Sequence, residues 1–229
     1  ELKHEKDEAT NLMYILPHAT NLAKFENFLD EIFNFYSQTI FVDFLIKVDK
    51  DGDTILNFFA IYCKSKQIFE CFCNKIKVLF TDEAKLKTFL LVKGKFERNA
   101  LLWSIANKNQ NSFNSLFEEV YCKHFNIKEF AYESDKNGEN FLHYLARWGT
   151  VPMLKFAFEK LKNEFSPEDL QNFIKLKSND GDNLLHLAAS FSESKEDLEF
   201  LWMEIEELIE DKEELKKFLL VKGQYERNA

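Results

Sequence analysis

The chain has 229 residues, 45% of them hydrophobic, and a formal net charge of −9. That is enough apolar material for a full core, and the acidic balance disfavours the phosphate-neutralising surface that nucleic-acid binding needs. The most apolar stretch, 28–46, is interrupted by Asp30, Glu31 and Asp43, so no uncharged run approaches the roughly 18–20 residues of a membrane span.

Six Gly and three Pro are few, which predicts short loops and dominant helix. No segment sustains period-two alternation, so no substantial sheet is expected. Four Cys (Cys63, Cys71, Cys73, Cys122) do not make a disulfide framework in a chain this long. They read as small buried hydrophobes in a reducing, intracellular setting, with the cytoplasm as the expected compartment and the nucleus left open. The chain lacks an initiator Met at Glu1 and stops at Ala229 as a new unit opens, so both ends are expected to be cuts in a longer protein.

The helix signals come in order along the chain. Thr81-Asp-Glu83 starts a capped segment before Leu86 to Leu91. Ser166-Pro-Glu-Asp169 starts another, with a cap, Pro at the first helical position and acids at the positive helix end. The clearest unit runs from Ser178 to Gly223. Asn179-Asp-Gly-Asp182 is turn chemistry, and Asn183 caps a helix beginning at Leu184. Leu184, Leu185, Leu187 and Ala188 bury one side of it. Ser192 and Ser194 mark a break, and Ser194-Lys-Glu-Asp197 opens a second helix in the manner of a capping box. Leu198, Leu201, Trp202, Ile205, Leu208 and Ile209 follow at three- and four-residue spacing, which is an amphipathic stripe. A short third segment, Glu213 to Val221, ends at Lys222-Gly223. Each unit is thus a turn, a short inner helix, a longer outer helix and a short return helix.

The unit repeats. The stretch Phe89 to Ala100 returns almost unchanged as Phe218 to Ala229, 129 residues later, which is three units of 43. Thr10, Thr54, Asn99, Asn140, Asn183 and Asn228 fall at intervals of 44, 45, 41, 43 and 45. Leu12, Leu56, Leu101, Leu142 and Leu185 stand two residues after the first five, and Phe44, Phe89, Phe130, Phe173 and Phe218 ten residues before the last five. This periodicity predicts one stacked, all-α array over 1–229 of about five units: 1–43, 44–88, 89–129, 130–172, 173–217 and the start of another at 218–229. The five Phe are expected in equivalent structural positions.

Asp135-Lys-Asn-Gly-Glu-Asn-Phe-Leu-His-Tyr-Leu-Ala-Arg-Trp-Gly149 resembles the opening of an ankyrin repeat, whose pattern runs Asp-x-x-Gly-x-Thr-Pro-Leu-His-x-Ala-Ala-x-x-Gly. Asn179 to Ala189 resembles it nearly as well. Asp49 to Asn57 shares the turn and Thr54 but has Asn57 in place of His, and the units at Thr10 and Asn99 share only the cap and the Leu. The units are longer than the usual 33 or so residues, and the extra length fits the return helix. The resemblance implies a helical-repeat solenoid of ankyrin type with an extra short helix per unit. It also implies that His143 and His186 bind backbone of the adjoining turn, and that turns and inner-helix ends form a concave protein-binding surface. Mapped onto this chain, that surface comprises Lys50, Asp51, Asp53, Tyr62, Arg98, Lys136, Asn137, Glu139, Arg147, Trp148, Asn179, Asp180, Asp182 and Phe191, with Phe96 and Tyr225 in equivalent turns. Arg147 and Trp148, flanked by Tyr62 and Phe191, form a candidate anchoring strip, or Trp148 and Phe191 pack between units. The Arg98 and Arg227 turns alternatively pair with acids of the next unit.

No catalytic set stands out. Asp49-x-Asp51-Gly-Asp53 hints at a calcium loop, but an EF-hand needs Gly sixth and Glu twelfth, whereas Gly52 is fourth and Ala60 twelfth. Cys71-x-Cys73 lacks a partner pair for zinc. There is no nucleophile elbow and no phosphate-cradling Gly loop. The Glu204–Glu207 and Glu210–Glu214 runs read as solvated helix face. The expectation is a scaffold without enzyme activity, cofactor or metal that binds another protein, with weak self-association through the bare array ends. The alternatives are the recognition region of a larger effector or toxin, and a structural spacer.

Overall fold

The computed structural model describes residues 12–121 and 125–223. Among the described residues all regular structure is helical, and isolated β bridges pair Val48 with Thr54 and Ser134 with Asn140, each closing a turn. The chain forms two units, Glu1–Ser104 with Asn111–Asn126, and Ile105–Gln110 with Ile127–Ala229.

The first unit contains a 3-10 turn at Leu16–His18, then α1 (Leu22–Phe35), α2 (Gln38–Leu45), α3 (Ile55–Tyr62), α4 (Lys66–Leu79) and α5 (Glu83–Leu90). Most starts are set by a side chain that accepts the free amides of the first turn: Asn21 from Lys24, Ser65 from Ile68, Asp82 from Ala84 and Lys85. The division between the units falls inside α6 (Ala100–Ala106) and at the start of α7 (Gln110–Ser115), which runs into a π-helical turn at Leu116–Tyr121. α4 packs on α1 and α2, and Phe59 of α3 joins α4 to α1 through ring contacts. Phe59 stacks face to face on Phe72 at 3.9 Å and meets Phe25 edge-on at 5.9 Å. The buried Tyr121 donates its hydroxyl to Leu90 O at 2.7 Å.

The second unit contains α8 (Ile127–Ala131), α9 (Phe141–Trp148), α10 (Val151–Glu164), α11 (Pro167–Ile174), α12 (Leu184–Phe191), α13 (Lys195–Leu208) and α14 (Lys212–Leu219). Here α12 lies on α9, α13 on α10, and α11 against α13. Helices of 8, 14 and 8 residues follow one another in α9–α11, again in α12–α14, and in α3–α5 of the first unit.

The five spaced phenylalanines share one position. Phe44, Phe89, Phe130, Phe173 and Phe218 are each the next-to-last residue of a short helix (α2, α5, α8, α11 and α14), and all are buried. The carbonyls of the first four each accept the amide three residues on, as the helix tightens into the following turn.

Candidate functional site: the turns and the inner-helix ends

Three turns share one construction. Asp49 Oδ1 accepts the amides of Asp51 (2.8 Å) and Asp53 (3.0 Å), and Asp135 Oδ1 accepts those of Asn137 (2.8 Å) and Glu139 (3.0 Å). Ser178 Oγ accepts from Asp182 N at 3.2 Å. Each turn needs a left-handed residue, supplied by Gly52, Gly138 and Gly181. In two of them the Asn that follows opens the next helix. Asn140 Oδ1 accepts from Leu142 and His143, and Asn183 Oδ1 from Leu185 and His186. Each His returns the bond, its Nδ1 accepting from the Asn amide at 3.3 and 3.2 Å. His143 Nε2 then donates to Leu176 O at 3.2 Å. Burial holds the His143 imidazole down to about 4, so it stays neutral.

Neighbouring turns are bonded to one another within each unit. In the second, Asn179 N donates to Asn137 O at 2.8 Å and Asn179 Nδ2 to Lys136 O at 3.2 Å. In the first, Asp53 Oδ1 accepts from Asn57 Nδ2 (2.8 Å), Trp103 Nε1 (3.0 Å) and Lys95 N (3.3 Å). Burial pushes the Asp53 carboxyl up, against the pull of the Asn57 and Trp103 bonds. The turn that follows begins at Gly94 and takes the Asp53 carboxylate of the preceding turn as acceptor for its Lys95 amide. It closes with Phe96 and Glu97, both left-handed without being Gly. The Arg98 guanidinium lies over the rings of Phe96 (5.1 Å) and Trp103 (4.7 Å).

The expected surface residues fall into three groups. Lys50, Asp51, Tyr62, Phe96, Lys136, Asn137, Asn179, Asp180 and Phe191 are exposed, and Arg98, Arg147, Trp148 and Asp182 are half-buried. Asp53 and Glu139, expected at the surface, are buried at 5% and 3% exposure. Asp53 is covered by the Gly94 turn. Glu139 accepts from Arg147 Nη2, and that guanidinium lies over Phe191 at 4.0 Å and Trp148 at 5.1 Å. Arg147 is thus packed between α9 and α12, with Phe191 as its cover. Tyr225 lies outside the described residues, as do Thr10, Cys122, Arg227 and Asn228.

Sequence reading missed three aromatic partners. Tyr14 donates to Asp49 Oδ2 at 3.0 Å and meets Phe58 edge-on at 4.6 Å. Burial, and after it the Asp49 carboxylate, raises the Tyr14 phenol. His18 lies 5.1 Å from Tyr62. Trp103 reaches Asp53. The only signal for Trp103 was its place four residues after the cap Asn99, where Phe58, Tyr144 and Leu187 stand in the other sequence repeats.

Among the described residues no group of three or more His, Cys, Asp or Glu is placed to hold a metal ion. Cys63, Cys71 and Cys73 are free thiols, and burial pushes the Cys63 thiol up to about 11, far from a reactive thiolate. No described helix is long and apolar enough to cross a membrane. No protein-family model and no curated protein matches the chain.

Proposed function

We propose that the chain is a divergent ankyrin-type solenoid that binds another protein through its turns and inner-helix ends and carries no catalysis of its own. The observation that supports this most is the Asn179 pair of bonds to Asn137 O and Lys136 O. It ties turn to turn, so that side chains from successive repeats lie in one row. The Asn–His boxes at 140/143 and 183/186 and the recurring 8–14–8 helix lengths agree with that reading. Within the second unit the row offers exposed Lys136, Asn137, Asn179, Asp180 and Phe191. Flat polar turns punctuated by an aromatic ring are the composition of a protein contact rather than a small-molecule cleft.

The test replaces residues that are exposed. Lys136→Glu with Asp180→Lys reverses two charges on the row. The expected result is loss of a discrete captured protein with the helical circular-dichroism signal and the unfolding midpoint unchanged. Undiminished capture by the variant contradicts the reading.

A further inference from the structure

The outer side of α13 is an apolar seat with its charges inverted. α10 and α13 begin at equivalent residues, Val151 and Lys195, 44 apart, so each α10 position has a counterpart on α13. On α10 the seat is Leu154 and Phe158, each 1% exposed. α13 covers it. Phe200 meets Phe158 at 6.2 Å, Lys155 Nζ lies 5.9 Å over the Phe200 ring, and Lys162 Nζ binds Glu204 (2.9 Å) and Glu207 (2.8 Å). The counterparts of Leu154 and Phe158 are Leu198 and Trp202, half-exposed rather than buried. The counterparts of Lys155 and Lys162 are Glu199 and Glu206, both exposed. Glu206, Glu210 and Glu213 have no ion-pair partner among the described residues.

The first unit shows what covers an acidic seat. There α1 presents Glu26 and Asp30, and the helix packed on it, α4, offers Lys75, which pairs with Asp30 and lies 5.3 Å over Phe33. Lys75 stands 129 residues before Glu204, at the same place in its helix, because α4 begins at Lys66 and α13 at Lys195. One position of the covering helix is therefore Glu over a basic seat and Lys over an acidic one.

We propose that the outer face of α13, centred on Leu198 and Trp202, seats an amphipathic helix of a partner protein. That helix carries Lys or Arg four and seven residues after an apolar side chain, the spacing of Phe200, Glu204 and Glu207 with the charges reversed. Glu206 pairs with the first of those cations. The inference stands on helix packing and does not depend on the reading of the turns.

The probe is a fluorescein-labelled peptide of α4, residues 66–79, with Cys71→Leu, Cys73→Ala and Val78→Lys, followed by anisotropy against the whole chain at low salt. Saturable binding is expected. Glu206→Lys in the chain weakens it at least about tenfold, and Lys75→Glu in the peptide restores binding to that variant. Glu206 is exposed, so circular dichroism of the variant matches the parent. Absence of saturable binding, equal binding to the Glu206→Lys chain, or failure of the paired reversal to restore it overturns the proposal. A chain that dimerises through Trp202 and excludes the peptide assigns the face to a second copy and overturns it as well.

Discussion

Gly94 lies so close to Asp53 that a Cβ built on it falls 2.0 Å from Asp53 Oδ1, and 129 residues later Gly223 stands against Asp182 in the same way, at 2.2 Å. The near-identical stretches Phe89–Ala100 and Phe218–Ala229 thus share a steric requirement as well as a sequence. Gly at that point leaves room for the carboxylate of the preceding turn.

Gly94→Ala destabilises the first unit by about 1–3 kcal/mol through this overlap. Asp53→Ala costs about 1–3 kcal/mol, because the amides and indole N–H it accepts lose a buried partner. Together the two changes cost less than their sum, since the methyl then has space. A double-mutant cycle in urea measures the coupling, and strict additivity contradicts the clash.

His143 makes the stability of the second unit acid-sensitive. Burial lowers its folded value to about 4 from an ordinary value near 6.5. The unfolded chain takes up the proton first, so stability is full above about 6.5 and falls as pH drops towards 4, by up to about 3 kcal/mol, then levels off for this group. In His143→Gln that part of the pH dependence is absent. Unfolding midpoints of parent and variant at pH 7.5 and 4.5 check the sign: the gap between them narrows or reverses in acid.

The Glu139–Arg147 pair is structural. Glu139 is buried, and the Arg147 side chain is 17% exposed beneath Phe191. Removing one partner by Arg147→Ala strands the other and costs about 3–5 kcal/mol, whereas replacing both with Glu139→Leu and Arg147→Met costs far less. Thermal denaturation of the three variants separates these outcomes. Equal losses from the single and double replacements contradict a desolvated pair.

The sequence-readable parts of this fold are those fixed by local chemistry. Asn183 caps a helix that begins at Leu184, Ser194 and Ser166 open the next ones, and the ten-residue offset from cap to Phe places five rings at equivalent helix ends. The return helix before Gly94 starts at Glu83, within the Thr81-Asp-Glu83 start signal, because the Asp82 cap sets the boundary. What local chemistry does not encode is what one turn does to the next. Asp53 looks like a surface turn residue until the Gly94 turn closes over it, and Glu139 looks solvated until Arg147 is drawn under Phe191. The left-handed Phe96 and Glu97 carry no Gly signal, and the π turn at Leu116–Tyr121 has no turn residue to announce it.

The central claim is that exposed turn side chains meet a protein. A photoreactive phenylalanine analogue at Asn137, on a turn, compared with one at Glu159, on α10, reads it directly after illumination with candidate partner proteins present. The account predicts a discrete adduct from position 137 and none of the same mass from 159. Adducts that are the same from both positions, or from neither, contradict it.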